Sequence, residues 1–481
     1  MAVAGVALPM NAPESSPPGG SRAARATVLL AVAAACTLGV LLGVRNLSSP
    51  DLGYHLAYGQ RIVRGEMVDH NEFVFTLPPL DTPPADRPEP GPGCWYDDAG
   101  RYRFANANWL SQALFALVYQ AGGTTGLCLL QAALMAGMVA LALATMRRLG
   151  VGWLATAGGV LLLVLTAYER FTLRPEVPGY LLLAAELLVL VWSERLSWRR
   201  VALLAALQLA LVNTHSYFLL GLALTGAFLA DRLLRIAWAR LRRAAPPDGA
   251  RGDAVRLAVA LGLQLAACFA NPWTWRLAVL PVQTLLFLRK HRIMAGDVSD
   301  TGHPWSVIRE VFRPFDEGSL VGLKATSAFV VALALGGLGA AAALVRRRWA
   351  AALTIAGLAF VGLSMRRNIA PAALIIVPLA LGALCPLGAA LAKIFPALRH
   401  PVPRIVASLA VVLSAGWFSA AVVTNRFYFA ERTPNRFAFG LSRLNLPVGP
   451  AEWLNERLPH QDLGRHGRAE NVWVDFTDSS N

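Results

Sequence analysis

The stretch RRVALLAALQLALVNTHSYFLLGLALTGAFLADR, residues 199–232, decides how the rest of the chain is interpreted. It is almost entirely apolar between two basic ends. Arginine and lysine collect on the cytoplasmic side of a membrane, so one long helix would leave one basic end on the wrong side. A hairpin that turns at residues 213–216 keeps both ends inside. The stretch therefore predicts two short membrane-spanning helices, with Arg199 and Arg232 reaching toward the interface.

Similar apolar blocks recur along the whole chain. Of its 481 residues, 56% are hydrophobic and 15% charged, which is too apolar for a soluble protein of this length. The clearest blocks are residues 27–44, 127–145, 155–166 and 370–384. In lipid a backbone must satisfy its own hydrogen bonds, and a helix of about 20 apolar residues crosses the hydrocarbon core. The predicted fold class is therefore all-α, a polytopic helical membrane protein.

The basic residues indicate the topology of these helices. The net charge of +15 does not indicate nucleic acid, because the basic residues lie beside apolar blocks rather than on one soluble face. If each basic cluster is cytoplasmic, further hairpins turn at residues 169–178 and 366–368. The result is about eleven crossings, with the N-terminus inside and the C-terminus outside. Two shorter blocks, residues 109–121 and 277–288, are interpreted as interfacial or re-entrant helices.

The sequence predicts a membrane domain with one terminal segment before it and one after it. The three parts are a disordered cytoplasmic tail (1–26), a transmembrane domain (27–424) with a large outer loop (46–108), and an extracytoplasmic segment (425–481). The last part suggests a short helix near residues 450–458 and a strand at 472–476. A signal peptide is the alternative interpretation of residues 22–46, but the lack of a convincing cleavage site favours a retained first helix.

The outer loop begins with a helix-start pattern. Ser48-Ser49-Pro50-Asp51 combines a good N-cap with proline in the first turn, and apolar or aromatic residues recur at 52, 56, 58 and 62. This spacing predicts a short helix lying on the membrane. Asp51 and His55, four residues apart, then share a face. A carboxylate in the first turn of a helix is the plainer interpretation of Asp51.

The predicted outer turns carry a wider range of polar residues than the cytoplasmic turns, which carry mostly arginine. They are Glu169, Arg170, Arg174, Glu176, Asn213, His215, Asn271, Arg366, Arg367 and Asn368. Turns of different hairpins meet at one end of a bundle, which predicts a polar cavity at the outer face. Paired arginines in a short outer turn oppose the positive-inside trend, and this indicates a bound anion such as phosphate. Snorkelling toward lipid headgroups is the alternative.

Several of these side chains also have a structural interpretation. Asn213 and Asn271 are of the type that caps helices and forms turns. His215 suits hydrogen bonding at the interface as well as function. The Arg174-Pro175-Glu176 motif is compatible with a local ion pair at a helix start.

The first outer loop carries a family resemblance. Asp51-Leu52-Gly53-Tyr54-His55-Leu56, followed by Asn108-Trp109-Leu110-Ser111-Gln112, resembles the corresponding loop of bacterial proteins of the GT-C glycosyltransferase superfamily. The motifs Arg174-Pro175-Glu176, Asn213-x-His215, Asn271-Pro272 and Arg367-Asn368 follow in a similar order. The resemblance implies transfer of a sugar from a polyprenyl-phosphate carrier at the outer membrane face. It also implies that Asp51 is a general base or metal ligand, although Leu52 stands where relatives often have a second acid.

The first functional hypothesis is therefore an inverting membrane glycosyltransferase in a bacterial cytoplasmic membrane. Asp51, His55 and Glu176 would act at the reacting centre, with a divalent metal ion as a possible cofactor. The carrier phosphate would be bound by Arg174, Arg366 and Arg367. The pocket wall would be formed by Asn213, His215 and Asn271. Its partners are membrane lipid and the polyprenyl-phosphate sugar donor.

Two alternatives belong to other classes of protein. A transporter or flippase for a lipid-linked or anionic solute would need ionisable residues near mid-membrane, for which Glu186, Asp231 and Lys324 are the candidates. A non-catalytic membrane subunit of a larger assembly is the other alternative.

Overall fold

Helices make up nearly all of the regular structure in the computed structural model, which describes residues 22–70, 82–291, 293, 308–315, 325–446 and 448–449. Eleven described helices have 15 or more residues. They are α1 (Arg22–Gly43), α3 (Trp109–Arg148), α4 (Trp153–Ala167), α5 (Glu176–Val191), α6 (Trp198–Thr214), α7 (Phe218–Leu241), α8 (Ala250–Ala267), α11 (Ala325–Val345), α12 (Trp349–Ser364), α13 (Ile369–Ile394) and α14 (Pro401–Val423). The all-α polytopic fold is confirmed.

The shorter elements are mostly found between these helices. They are α2 (Leu52–Val63), β1 (Cys94–Tyr96), β2 (Tyr102–Phe104), α9 (Trp275–Ala278), α10 (Leu280–Lys290) and α15 (Arg426–Ala430), with 3-10 turns at Pro84–Asp86, Tyr168–Arg170, Arg309–Val311, Arg366–Asn368 and Pro396–Arg399. The two strands pair antiparallel, with Trp95 opposite Arg103.

Five of the described helices are long and apolar enough to cross a membrane by length and composition alone, namely α1, α3, α11, α13 and α14. α4, α5 and α6 have 15 to 17 residues, and a helix of that length extends only about 23–26 Å. The three predicted turns are present, between α4 and α5, α6 and α7, and α12 and α13, whereas the membrane crossings of these helices remain predictions. α1 begins at Arg22, ahead of the predicted start at residue 27, whereas the predicted elements at 450–458 and 472–476 lie outside the described residues.

A glycine divides α3 into an outer part and a membrane-spanning part. Gly123 has φ 57° and ψ −150°, a backbone conformation that only glycine adopts readily. The predicted interfacial segment at residues 109–121 is therefore the outer part of α3, in front of this break. Gly59 lets α2 lie directly on that outer part, because a Cβ there would be 2.0 Å from the carbonyl oxygen of Gln112.

The basic clusters gather at one end of the bundle. The guanidinium of Arg147 lies over the ring of Trp153, and that of Arg148 over Trp192. Asp231 accepts a hydrogen bond from the backbone N–H of Ala350 and pairs with Arg232 at 2.6 Å, which joins α7 to the α11–α12 turn. Asp231 is thus an ion-paired residue at the basic end, not an ionisable group at mid-membrane.

The opposite end is polar and closed by the last described segment. Leu47 forms a parallel bridge with Leu441, and the backbone N–H of Asn46 donates to the carbonyl of Arg436. A buried apolar cluster that includes Leu42, Phe115 and Tyr168 packs α1, α3 and α4 beneath this end. The first outer loop therefore rests on a rigid base.

Candidate functional site

Arg174 lies between two carboxylates that come from distant parts of the chain. Its Nη1 is 2.7 Å from Oε1 of Glu310, and its Nη2 is 3.5 Å from Oδ2 of Asp51. Its Nε donates to the hydroxyl of Ser49 at 3.2 Å. One arginine of the α4–α5 turn therefore connects the start of the outer loop with the segment at residues 308–315.

A second arginine in the same turn shares one of these carboxylates. Nη1 of Arg170 lies 3.0 Å from Oε1 of Glu310 and 3.5 Å from Oε1 of Glu176. The same oxygen of Glu310 therefore bridges two guanidinium groups. Charge-assisted contacts of this kind are the strong class of hydrogen bond, so they bind the 308–315 segment to the turn before α5.

These groups line a cavity of about 160 Å³ at the polar end of the bundle. Its walls come from four separated stretches of chain, which are residues 48–50, 169–176, 310 and 434–445. Of the predicted site residues, Arg174 and Glu176 line this cavity, and Asp51 reaches it through its contact with Arg174. Because no two of these stretches are adjacent in sequence, the cavity exists only in the folded chain.

The acids at the cavity differ in their affinity for protons. Burial raises the pKa of Asp51 and outweighs the opposing effect of Arg174. Burial acts in the same direction on Glu310, but the guanidinium groups of Arg170 and Arg174 prevail and hold the pKa of Glu310 well below its usual range. Glu310 is thus an anion near neutral pH, whereas Asp51 is the acid better able to accept a proton.

Arg366 is already paired. Its Nη2 lies 3.2 Å from Oε1 of Glu169, a residue of the cavity wall, and its backbone N–H donates to the carbonyl of Phe312 at 2.8 Å. Arg366 therefore holds the 308–315 segment and the α4–α5 turn together. Its partner Glu169 is the residue before Arg170.

His215, Arg367 and His55 form a second polar group beside the cavity. In the described part of the chain, Nδ1 of His215 and Nε of Arg367 are buried without a hydrogen-bond partner. Burial, helped by Arg367, lowers the pKa of His215 to about 3.

His55 is only 2% exposed. Its Nδ1 is 3.0 Å from the amide nitrogen of Gln112, which can only donate, so this nitrogen of the ring is the acceptor. Burial, with Arg174 and His215, lowers its pKa to about 3. Both imidazoles are therefore neutral near neutral pH.

Asn213 and Asn271 stabilise the ends of helices. Oδ1 of Asn213 accepts from the indole N–H of Trp109 at 2.8 Å, and its amide nitrogen donates to the carbonyls of Leu209 and Ala270. Asn271 closes its own turn through Cys268 and Trp273. Both asparagines line an open apolar groove whose walls do not include Arg170 or Arg174.

Three residues at the cavity have no role predicted from their sequence context. Arg170 was seen only as one of several polar turn residues, and Glu310 not at all. Arg45 is 1% exposed and donates to the carbonyl of Tyr168 and to the hydroxyl of Thr172 in the cavity wall. A signal for Arg45 was available, since it follows the outer end of α1 and opposes the positive-inside trend as Arg366 does. For Glu310, the apolar spacing of Ile308, Val311 and Phe315 was the available signal of an anchored helical turn.

The acids at this end are held mainly by arginine. Among the residues that the structure describes, no group of three or more His, Cys, Asp and Glu side chains lies close enough to hold a metal ion. Asp51, Glu176 and Glu310 are the acids that a divalent ion would have to recruit. Metal use remains a prediction.

No protein-family model and no curated protein matches this chain. Two crystal structures of the oligosaccharyltransferase of Archaeoglobus fulgidus resemble it. The form tethered to an acceptor peptide with an NVT sequon has a TM-score of 0.51 and 14% identity, over 82% of this chain and 54% of that one. The apo form has a TM-score of 0.46 and 13% identity, over 82% and 55% of the two chains.

This chain therefore spans about half the length of the archaeal protein. Identity this low shows a shared fold and nothing finer. At the level of the fold the predicted resemblance is confirmed, because the chain shares the fold of the archaeal oligosaccharyltransferase.

Proposed function

We propose that this protein is a membrane glycosyltransferase that moves a sugar from a polyprenyl-phosphate carrier to an acceptor at the outer membrane face. The observation that supports this most directly is the bridge of Arg170 and Arg174 by one oxygen of Glu310, with Asp51 beside it. Two convergent guanidinium groups next to a more basic carboxylate are the groups that such a transfer needs.

The two arginines form the phosphate site. Arg170 and Arg174 direct their Nη1 groups at the same point, which an anionic oxygen of Glu310 occupies. Arginine suits phosphate because its planar guanidinium presents several donors to oxygen atoms. A carrier phosphate takes the place of the Glu310 carboxylate, and Arg45 adds positive charge beneath Thr172.

The phosphate-binding residues proposed here differ in part from the three arginines predicted from the sequence. Arg174 keeps it. Arg366 is neutralised by Glu169 and contributes mainly by holding the 308–315 segment. Arg367 faces His215, and its buried Nε has no hydrogen-bond partner in the described residues, so its phosphate role stays a prediction.

Asp51 is the general base of the reaction. Its side chain is 41% exposed, which leaves it accessible to an acceptor, and its raised pKa improves it as a proton acceptor. Asp51 takes a proton from the acceptor, whose freed lone pair forms the new bond to the anomeric carbon. The bond between that carbon and the carrier phosphate oxygen breaks, and the phosphate leaves with the electron pair.

Arg170 and Arg174 stabilise the charge that grows on the leaving phosphate. Attack from the side opposite the phosphate inverts the anomeric centre. His55 is neutral and fixed by Gln112, so its role is to hold α2 and thereby Asp51 in position.

Purified protein in lipid nanodiscs, supplied with a panel of polyprenyl-phosphate sugars and acceptors, tests the proposal. We expect transfer with at least one donor, and its loss in Asp51→Asn. The matched control is Asp86→Asn, an exposed acid of the same outer loop. Transport of a lipid-linked sugar without transfer would instead support the transporter, and neither activity would support the non-catalytic subunit.

A further inference from the structure

Glu186 lies in the middle of α5, far from the cavity. It follows Glu176 by ten residues on the same helix, which places it about 15 Å deeper in the bundle. It is 0% exposed, and neither carboxyl oxygen has a hydrogen-bond partner among the residues that the structure describes. Nothing in the proposed transfer reaction uses this residue.

Two neighbouring helices, α6 and α8, direct polar groups at this carboxyl. A Cβ placed on Gly221 of α7 would be 2.5 Å from Oε2 of Glu186 and 2.5 Å from Oε1 of Gln208, so these two oxygens flank the same point. Gln264 of α8 faces Glu186 as well. Thr225 follows Gly221 by one helical turn and is fully buried.

The two facing oxygens are both acceptors. The amide nitrogen of Gln208 is committed to the carbonyl of Phe218 at 3.0 Å and to Sγ of Cys268 at 3.3 Å, which turns Oε1 toward Glu186. Two buried acceptors cannot satisfy each other. Each of them needs a donor, and a proton on the carboxyl would make Glu186 a donor to Gln208.

An ionised Glu186 would also be a charge without a partner. No described Arg, Lys or His pairs with it, and Cys268 is the one titratable neighbour that the described residues place beside it. A buried carboxylate that lacks a cation takes up a proton instead of remaining charged. The lack of a cation and the two facing acceptors therefore both favour the protonated form of Glu186.

We propose that Glu186 is a proton-binding site in the interior of the membrane domain, with its bound proton donated to Oε1 of Gln208. The free amide nitrogen of Gln264 is then available to donate to the other carboxyl oxygen. One proton converts two opposed acceptors into a hydrogen-bonded link between α5 and α6. Glycine at position 221 leaves room for this link, because a side chain there would displace both oxygens.

A proton satisfies the polar groups around Glu186 better than a monovalent cation does. A cation would draw Oε1 of Gln208 and Oε1 of Gln264 around the carboxylate as ligands and would leave the amide nitrogen of Gln264 unsatisfied. The site does not depend on the proposed transfer reaction, so failure of one proposal leaves the other intact.

Infrared difference spectroscopy of the full-length protein in nanodiscs tests this assignment. We expect the spectrum of wild type minus Glu186→Gln, recorded at neutral pH, to contain the carbonyl band of a protonated carboxylic acid that shifts in heavy water. Asp231→Asn is the control, since Asp231 is buried but paired with Arg232 and Arg235, and its difference spectrum should lack that band. A missing band for Glu186 would overturn the proposal.

Labelling of the unmodified protein gives a second measurement that does not depend on the folding of a variant. A hydrophobic carbodiimide reacts with protonated carboxyl groups within membranes, and mass spectrometry of peptides locates the adduct. We expect labelling of Glu186 at neutral pH, unaffected by sodium or potassium ions. Protection by either ion would assign the site to a cation and overturn the proton assignment.

Discussion

Oε1 of Glu310 lies 2.7 Å from Nη1 of Arg174, so a chain segment that the sequence analysis did not single out occupies the guanidinium group proposed to bind the carrier phosphate. Arg170 contacts the same oxygen at 3.0 Å. Phosphate and Glu310 must therefore compete for the two arginines.

Removing the charge of Glu310 should strengthen binding of the carrier. Glu310→Gln keeps the shape of the side chain but lowers its attraction to Arg170 and Arg174, so we expect polyprenyl phosphate to bind about tenfold more tightly, equivalent to about 1.4 kcal/mol. Titration of the purified variants in detergent measures this. Glu89→Gln, which removes an exposed pair with Lys290, should leave affinity unchanged. Weaker binding in Glu310→Gln would show that Glu310 orders the arginines instead of competing for them.

Removing Arg174 should weaken binding of the carrier more than removing Arg366. Arg174→Gln deletes a charge-assisted phosphate contact of about 1.5–3 kcal/mol, which corresponds to about 10- to 150-fold in affinity. Arg366→Gln leaves the phosphate site intact and breaks the pair with Glu169, so the loss should be under about threefold. The same titration measures both. Equal losses would return the phosphate role to the Arg366 turn.

Asp51 should be essential for transfer while contributing little to folding. Asp51→Asn removes the proton acceptor, for which we expect a loss of at least about a hundredfold in the rate of transfer. Its side chain is 41% exposed and caps α2 without a side-chain hydrogen bond, so the midpoint of thermal unfolding should stay close to that of wild type. Single-turnover assays with the carrier sugar and a thermal melt provide the two measurements. Full activity in Asp51→Asn would remove Asp51 from the mechanism.

The pH dependence of transfer should report Asp51. Its pKa is raised by burial, and a general base works only when deprotonated, so the rate should rise with pH through a midpoint above the usual value for aspartate of about 3.9. Rates measured from acidic to neutral pH under single-turnover conditions test this. The acid limb should disappear in the residual activity of Asp51→Asn. A limb that persists unchanged would belong to another group.

Glu310 should make folding sensitive to acid. Its pKa is lowered in the folded chain, so its ion pairs stabilise the protein above the usual pKa of glutamate, and that stability is lost as the pH falls toward the lowered value. Thermal unfolding midpoints of wild type should therefore decrease on acidification more steeply than those of Glu310→Gln. Parallel curves would mean that Glu310 is not an ion-pair partner in solution.

The break in α3 should depend on glycine. Gly123→Ala forces a side chain into φ 57°, ψ −150°, and we expect a destabilisation of about 1–3 kcal/mol, measured by thermal unfolding in detergent. Gly122→Ala is the control, because its Cβ would meet nothing within 4 Å and its backbone is helical. An unchanged melting midpoint in Gly123→Ala would mean that the break relaxes into continuous helix at little cost.

The helices, the turns that join them and the separation of basic from polar turns can be predicted from the sequence. The stretch at residues 199–232 was sufficient for one hairpin, because the transfer of apolar side chains into lipid and the placement of arginine are properties of each segment alone. Asp51 and Arg174 were recognised from local motifs, and the structure brings them within 3.5 Å of each other.

The tertiary structure alone decided what each polar side chain faces. Arg170 and Glu310 are far apart in sequence yet share one contact, and Arg366 pairs with Glu169 although its sequence setting predicted a bound phosphate. Asn213 holds Trp109 and Ala270 instead of lining the arginine cavity. The hydrophobicity of a segment depends only on the residues of that segment. An ion pair depends on the distance between two side chains, and that distance is set only when the helices pack.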